Sequence, residues 1–443
     1  MSDQIYSGST NALPKSGAVG ARKPGKVIAA TTIGTYLEWY DFYLYGASSA
    51  LVFSKLFFPQ FDSFMGTILS LLTFASGFLA RPIGGYVCGY FGDRFGRKNT
   101  LMATMIAMGM ATFLMGLVPS YGSIGAWGAV ILVTLRVVQG FASGGEWSGA
   151  LVMVAEAVPD NRRGMIGGLL SATTQAAFVS GAAILSLLSY VLDENDFMAW
   201  GWRIPFLLSI ITVVIGVYIR MSVPESEEFE AVKKSGEISN NPLSEVVASP
   251  RNIFAIMALR ISENTYYYVV SIFALTYGIT HGIDRSVVLS AVTMGALLAV
   301  VFGFLVGVLT DKIGSKPMLI LGQIFQLVWI VPYFLLFNTG NPTYITLATV
   351  VAIVTLVGMI DAPQAKFVPP LFPARVRYSG VAAGRETAAV IGGLTPAIAT
   401  ALVAANGNHP WLLCALLFFC TLLGLAGVIM ARPRAGGAAA SAR

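Results

Sequence analysis

The sequence predicts an all-α membrane protein, with twelve transmembrane helices in two pseudo-symmetric six-helix halves. Three observations support this prediction: a mean hydropathy of +0.72, apolar runs of bilayer-spanning length, and a motif that occurs twice. Charged residues make up 11% of the chain, whereas soluble domains carry about 25%. The chain therefore has too little polar surface for a water-soluble fold.

Twelve apolar segments are each long enough to cross about 30 Å of hydrocarbon at about 1.5 Å per residue. They cover residues 27–52, 64–91, 100–118, 126–157, 164–192, 202–222, 252–281, 286–309, 317–338, 342–370, 377–405 and 409–431. The predicted organisation is a tail (1–26), an N-terminal half (27–222), a solvated linker (223–251), a C-terminal half (252–431) and a second tail (432–443).

Lysine and arginine are distributed unequally between the two sides of these spans. Twenty lie in loops and tails on one side, whereas the opposite side carries Lys55 and Arg285. Because cytoplasmic loops carry the excess of cations, both termini are predicted to be cytoplasmic. The net charge of +6 then reflects membrane topology, and no nucleic-acid partner is expected.

A ten-residue motif after the second span of each half indicates an internal repeat. Residues 89–98 read GYFGDRFGRK and residues 307–316 read GVLTDKIGSK, an offset of 218 residues. Transporters that rock around a central site have two such related halves. An ordinary positive-inside loop is the alternative reading of either copy. The predicted gating residues are Gly89, Asp93, Arg94, Gly96, Arg97, Asp311, Lys312 and Gly314, with Glu146, Arg162 and Asp361.

GYFGDRFGRK resembles the loop between the second and third helices of the major facilitator superfamily. Four further stretches resemble its bacterial metabolite:proton symporter family: EWYDFYLYG, RVVQGFASGGEW, AEAVPDNRRG and WGWRIPF. The shikimate-transporter branch is the most similar in pattern. AGRET at 383–387 departs from that branch, which has a tyrosine and an amide there, so the solute stays open.

The resemblance implies a secondary active transporter of the bacterial inner membrane that works by alternating access. The expected partners are protons, a small organic anion and the lipid bilayer, and the protein is expected to act as a monomer. No cofactor or metal is expected, because the three cysteines lie in apolar segments and no GxxxxGK[ST] loop is present. Enzymatic activity is not predicted.

Two carboxylates interrupt the first span, in YLEWYDFYLYG. Glu38 and Asp41 are three residues apart and share a helical face, which Tyr45 continues. Charges at this depth are costly unless they are paired or hydrated, and a carboxylate that gains and loses a proton is what proton coupling needs. Asp41 is the first candidate for proton coupling, followed by Glu38 and Glu263. A fixed ion pair with Arg136 is the alternative.

The fourth span places Arg136 and Gln139 on one face near the bilayer midplane. An arginine can hold a carboxylate through two parallel hydrogen bonds, so this pair is predicted to bind the solute. An internal salt bridge is the alternative. Glu146 is expected to form a structural or gating pair. The remaining solute-site candidates are Arg385, Glu386, Tyr45, Tyr266 and Tyr267.

Several other functions fit parts of the sequence. An aromatic cage without a cationic anchor would favour a symporter for a zwitterion such as betaine or proline, whereas Arg136 and Arg385 favour the anion. A drug/proton antiporter is disfavoured because the fifth span lacks a Gly-Pro-x-x-x-Gly-Gly run. A channel or a membrane enzyme is the alternative from a different class. Twofold repetition favours alternating access over a pore.

Overall fold

Helices account for nearly all of the chain that this computed structural model describes, namely residues 24–236, 239 and 242–432. The N-terminal half contains α1 (Pro24–Ser48), α2 (Ser63–Phe95), α3 (Arg97–Leu117), α4 (Trp127–Ala157), α5 (Arg163–Val191) and α6 (Arg203–Met221). The C-terminal half contains α7 (Pro250–Tyr268), α8 (Arg285–Ile313), α9 (Ser315–Phe337), α10 (Pro342–Leu356), α11 (Arg377–Ala405) and α12 (Trp411–Met430). The predicted count and division into halves are confirmed.

Corresponding helices of the two halves are interrupted in the same way. A π-helical turn at Ser49–Phe53 follows α1, and one at Val269–Phe273 follows α7. A third, at Val357–Asp361, follows α10. Single π turns inside helices are frequent at functional sites, and these three lie on helices that line the centre of the bundle.

Among the described residues, ten helical segments are long and apolar enough to cross a membrane. The two remaining spans, α1 and α7, fall outside this group. They carry Glu38 and Asp41, and Arg260 and Glu263, respectively. These polar side chains are buried inside the protein, where other helices supply the partners that lipid lacks.

Glycine allows several helices to pack at very short range. A Cβ at Gly84 of α2 would lie 1.8 Å from the carbonyl oxygen of Phe141 on α4. Between the halves, a Cβ at Gly168 of α5 would lie 2.5 Å from the carbonyl oxygen of Gly303 on α8. Small residues at such contacts are typical of membrane helix pairs. They bring the backbones of α5 and α8 together across the interface between the halves.

The segment between the halves contains two short helices that are partly exposed and partly packed. Glu227–Lys234 and Pro242–Val247 are helical, and their side chains Phe229 and Val246 are buried. An apolar residue on one face of each helix explains this docking, which composition alone concealed. The first helix begins at Pro24, within the predicted tail. Residues 1–23 and 433–443 lie outside the described residues.

Candidate functional site

The two halves are joined through the first copy of the repeated motif, at the side that the cation distribution predicts to be cytoplasmic and that is called cytoplasmic below. Asp93 accepts hydrogen bonds from the backbone N–H groups of Tyr378 at 3.2 Å and Ser379 at 2.8 Å, in the first turn of α11. A carboxylate at a helix N-terminus satisfies free N–H groups and the helix dipole. Gly89 is required for this approach, because a Cβ there would lie 2.7 Å from Cα of Ser379.

The second copy makes the same contact in the opposite direction. Asp311 at the end of α8 accepts hydrogen bonds from the N–H groups of Gly164 and Met165, both at 2.8 Å, in the first turn of α5. Gly96 and Gly314 follow α2 and α8 with φ of +113° and +101°, which glycine adopts without strain. We call these two reciprocal caps, centred on Asp93 and Asp311, the cytoplasmic latch.

Ion pairs and the linker reinforce the latch. Glu156 of α4 lies 3.2 Å from Arg97 and 3.1 Å from Arg377, so one carboxylate bridges cations of both halves. Arg377 also pairs with Glu228 of the linker at 2.5 Å. Glu225 accepts a hydrogen bond from the backbone N–H of Arg97 at 3.2 Å. The linker therefore contacts both halves on the cytoplasmic side.

Three predicted gating residues do not take part in these contacts. Arg94, Arg162 and Lys312 are exposed, and Arg94 donates to Tyr90 of its own helix. Because each points away from the interface between the halves, we assign them to the cationic cytoplasmic surface. Their gating role, predicted from the motif, stays a prediction.

Glu146 lies inside the N-terminal half. It accepts hydrogen bonds from Arg220 of α6 at 2.9 Å and from Thr104 of α3 at 2.9 Å. The Glu146 and Arg220 side chains are fully buried. A Cβ at Gly34 would lie 2.1 Å from Oε1 of Glu146, so α1 also closes over it. Of the two roles expected for this residue, the geometry favours the structural pair.

The two carboxylates of α1 contact different neighbours. Glu38 accepts from Nη2 of Arg81 at 2.7 Å, whereas Asp41 accepts from Thr112 of α3 at 2.6 Å. The other oxygen of each carboxylate, Oε2 of Glu38 and Oδ1 of Asp41, is buried without a hydrogen-bond partner. Neither carboxylate forms an ion pair with Arg136 in the described structure.

Arg136 is buried in an aromatic cage. Its guanidinium carbon lies 4.4 Å from the ring centroid of Tyr45, 4.8 Å from that of Phe74 and 5.1 Å from that of Phe42. The Tyr45 hydroxyl donates to Thr73 at 2.7 Å. Rings stabilise a cation without neutralising it. Within the described residues Arg136 has no carboxylate within 4.0 Å, so its positive charge is available.

A chain of polar groups connects Arg136 to Asp41. Arg136 donates to the amide oxygen of Gln139, and the amide nitrogen of Gln139 donates to Thr112 at 2.7 Å. Thr112 in turn donates to Asp41. A cavity of about 10 Å³ borders this chain, with Arg136, Gln139, Glu38 and Arg81 in its wall. The predicted proton and anion residues are thus adjacent members of one buried network.

A second cavity, of about 30 Å³, lies between the halves. We call it the central cavity. Arg260 and Glu263 of α7 pair with each other in its wall, and Gln364 donates to Glu263 at 2.7 Å. Tyr43 of α1 and Tyr267 of α7 join their hydroxyls at 2.8 Å across the halves. The lining residues are Trp39, Tyr43, Thr174, Gln175, Arg260, Glu263, Asn264, Tyr267, Tyr268, Leu356, Val357 and Asp361.

Two predictions about residues around this cavity need correction. Asp361 lines the central cavity rather than the cytoplasmic latch, because further short helical segments extend α10 towards the cytoplasm beyond it. Tyr266 lies in the apolar core of the C-terminal half, and its hydroxyl has no partner. It is rotated by about 100° from Tyr267 along the helix, which turns it away from the cavity.

Arg385 and Glu386 contact different helices, as their adjacency predicts. Arg385 donates to Gln364 at 2.8 Å and stacks on Trp147 of α4, 3.7 Å from the ring centroid. Glu386 pairs with Arg81 of α2 at 2.9 Å. The weak Arg385–Glu386 contact is 4.0 Å long. Both residues therefore tie α11 to the N-terminal half.

Sequence reasoning missed several residues of the site. Arg81, which is not among the predicted site residues, lies between two carboxylates at the centre of the protein. Trp39 and Tyr43 line the central cavity. Their spacing of four places them on one face of α1, different from that of Glu38 and Asp41. This second face of α1, with aromatic side chains that carry polar groups, is the sequence feature from which the two residues could have been predicted.

The sequence is similar to those of known membrane transporters. A sequence profile of the Major Facilitator Superfamily matches residues 43–394. The shikimate transporter of Escherichia coli (strain K12) is 34% identical over 396 residues, which cover 88% of this chain and 90% of that protein. The proline/betaine transporter of the same organism is 32% identical over 401 residues, covering 86% and 78%.

A solved structure shares the fold. The proton:xylose symporter XylE, bound to 6-bromo-6-deoxy-D-glucose, superimposes with a TM-score of 0.76 at 15% identity. The match covers 92% of this chain and 94% of that one. At this identity the likeness bears on the fold alone. It agrees with twelve helices in two halves.

Proposed function

The chain belongs to the Major Facilitator Superfamily of membrane transporters, and we propose that it is a proton-coupled symporter of a small organic anion. The observation that carries the proposal is the buried guanidinium of Arg136, which lacks a carboxylate partner and is linked by hydrogen bonds to Asp41. An uncompensated buried cation is costly. An anionic solute would offset that cost.

Arg385 supports the same solute class. Its Nε and Nη2 atoms are buried without hydrogen-bond partners, while Nη1 donates to Gln364. Buried polar groups are nearly always satisfied in proteins, so these free donors favour an acceptor that arrives during the transport cycle. Shikimate-like hydroxy acids, aromatic carboxylates and small di- or tricarboxylates have suitable oxygens.

Asp41 is the proposed proton carrier, with Glu38 and Glu263 as secondary candidates. Asp41→Asn should abolish uphill uptake in proteoliposomes and leave solute exchange in place, because the site persists without its titrating group. Uptake that stays uphill and pH-dependent in this variant would remove Asp41 from the coupling step.

Arg136→Ala should weaken carboxylate binding by at least about tenfold; an unchanged affinity would refute the anion anchor.

Alternating access is the proposed transport cycle, because ion pairs near the repeated motif join the two halves on the side that is predicted to be cytoplasmic. The protein would work as a monomer in the bacterial inner membrane with cytoplasmic termini, which the distribution of cations favours. Counterflow distinguishes a carrier from a channel or an enzyme. Labelled solute should exchange for unlabelled solute in the absence of a proton gradient.

A zwitterionic solute is the second candidate, and the wall of the central cavity favours it. Trp39, Tyr43, Tyr267 and Tyr268 present aromatic rings there, beside Glu263 and Asp361. Rings and carboxylates suit a quaternary or secondary ammonium, while Arg260 could hold the carboxylate of the same molecule. A thermal-shift panel of organic acids, betaine and proline separates the two candidates by which class stabilises the purified protein.

A further inference from the structure

One buried arginine is shared between the two halves at mid-depth. Arg81 of α2 donates from Nη2 to Glu38 at 2.7 Å and from Nε to Glu386 at 2.9 Å. Ser148 of α4 donates to the other oxygen of Glu386 at 3.4 Å. The ionic side chains are 1% to 5% exposed. Glu38 moves with Arg81 as part of the N-terminal half, whereas Glu386 belongs to the opposite half.

We infer that the Arg81–Glu386 pair is an inter-half lock that holds the cytoplasmic side closed, and that Glu386 must be neutralised for the lock to open. The inference deepens the alternating-access symport proposed above and rests on it. It adds a positioning residue, about 12 Å along α11 from the cytoplasmic latch. Glu386 sits in the AGRET stretch, where the sequence departs from the shikimate-transporter pattern.

Separation of the two halves leaves Arg81 with an ionic partner but leaves Glu386 without one. When α11 separates from α2, Arg81 keeps Glu38. Glu386 loses both Arg81 and Ser148, because both belong to the N-terminal half. Leaving one buried charge without its partner is strongly unfavourable. The halves therefore separate more easily when the Glu386 carboxyl group is protonated than when it is ionised.

The surrounding charges favour a proton there over another cation of the protein. Two carboxylates share one guanidinium at hydrogen-bond distance, so Arg81 alone does not balance both negative charges. Arg385 reaches Glu386 only at 4.0 Å and is itself engaged with Trp147 and Gln364. The other titratable or charged groups around the pair are Glu146, Cys88 and Arg136 in the N-terminal half, Tyr268 beside Arg81, and Arg260, Glu263 and Asp361 beyond Arg385.

While the two halves are in contact, the tight packing of α2 against α11 keeps Arg81 and Glu386 from moving apart. A Cβ at Gly85 of α2 would lie 2.9 Å from Cγ of Glu386. One residue further along each helix, Tyr86 and Thr387 join their hydroxyls at 2.9 Å. The carboxylate is thus held between two helix backbones, and it is released only by a separation of the halves.

The experiment measures the cytoplasmic opening directly. Spin labels at Arg94 and Lys312, which are exposed on opposite halves, report the distance between the halves in full-length protein in nanodiscs. Glu386→Gln should raise the open-to-closed ratio about tenfold or more at pH 7.5, since a neutral side chain no longer binds Arg81 as an ion. Lowering the pH should open the unmutated protein and leave Glu386→Gln unchanged.

Glu38→Gln is the matched control, because it also neutralises a carboxylate that pairs with Arg81, but one that belongs to the same half as Arg81. It should shift the ratio towards the closed form, since separation would then leave both Arg81 and Glu386 unpaired. Glu386→Asp should restore the pH response. Arg81→Lys, which cannot serve both carboxylates with a planar fork, should shift in the same direction as Glu386→Gln and gives a second route if that variant does not fold.

Shifts of the same sign in Glu38→Gln and Glu386→Gln, or a pH response that survives in Glu386→Gln, would overturn the lock. These distances are measured without solute or gradient. The anion-symport proposal fails separately, if no organic acid is taken up or exchanged while the distances still change as described.

Discussion

Neutralising Asp93 should weaken the closed cytoplasmic side by an amount that the structure allows us to estimate. Its carboxylate accepts two backbone hydrogen bonds from the first turn of α11, at 2.8 and 3.2 Å. Hydrogen bonds to a charged group contribute about 1.5–3 kcal/mol, and a carboxylate at a helix N-terminus about 0.3–1 kcal/mol. Asp93→Asn keeps one acceptor oxygen, so we expect a net loss of about 2 kcal/mol, or about 30-fold in the open-to-closed ratio.

The assay uses Ser379→Cys as a reporter. Ser379 is fully buried, and the backbone N–H that Asp93 binds is kept in this variant. A membrane-impermeant maleimide, applied from the cytoplasmic side of inside-out vesicles, reaches the thiol when the latch opens. The native cysteines are buried, and the protein without the reporter gives the background. Asp93→Asn should accelerate labelling about 30-fold.

A matched control separates the latch from helix capping in general. Asp284 caps its own helix, α8, and its side chain accepts from the N–H of Ser286 at 2.7 Å. The hydrogen bonds from Ser286 hold the pKa of Asp284 below its ordinary value. Asp284→Asn is the same chemical change away from the interface between the halves, so Ser379→Cys should be labelled at the same slow rate as when Asp93 is intact. Equal labelling in Asp93→Asn and Asp284→Asn would refute the reasoning.

Three further predictions concern packing. Gly89→Leu should block closure and abolish transport in folded protein, because its Cβ would lie 2.7 Å from a backbone atom; a variant with normal uptake would contradict this. Tyr267→Phe should weaken solute affinity about fivefold by losing its inter-half hydroxyl contact, whereas Tyr266→Phe should leave affinity unchanged. Glu146→Ala should cost about 3–5 kcal/mol by leaving Arg220 buried and unpaired, measured as a lower thermal unfolding midpoint.

The number of helices and the twofold repeat were predictable because both are local properties of the sequence. Hydropathy identifies spans without reference to neighbours, and the repeated motif fixes where each half places its Asp93 or Asp311. The reciprocal capping of α11 and α5 follows from that repeat. Packing of the linker was not predictable in this way, because Glu227–Lys234 has three apolar residues among five charged ones and only Phe229 is buried.

The partners of the buried charges could not be predicted, because they depend on helix rotation and on the third dimension. Glu38 and Asp41 are three residues apart, a rotation of about 60° between their directions. That difference sends Glu38 to Arg81 and Asp41 to Thr112. The sequence offered Arg136 as a partner for either one. Only the relative placement of α1, α2 and α4 assigns it to an aromatic cage instead.

This assignment suggests how proton and solute would be coupled. Thr112 and Gln139 stand between Asp41 and Arg136 and are each able to donate and accept. A proton on the Asp41 oxygen that faces Thr112 would turn this acceptor into a donor, so that Thr112 would donate to Gln139 instead and the Gln139 amide would turn and release Arg136. Proton binding would thereby free a guanidinium for an anion without direct contact between the two charges. Gln139→Leu should accordingly uncouple the two, leaving solute affinity independent of pH, whereas an unaltered pH dependence would place the coupling elsewhere.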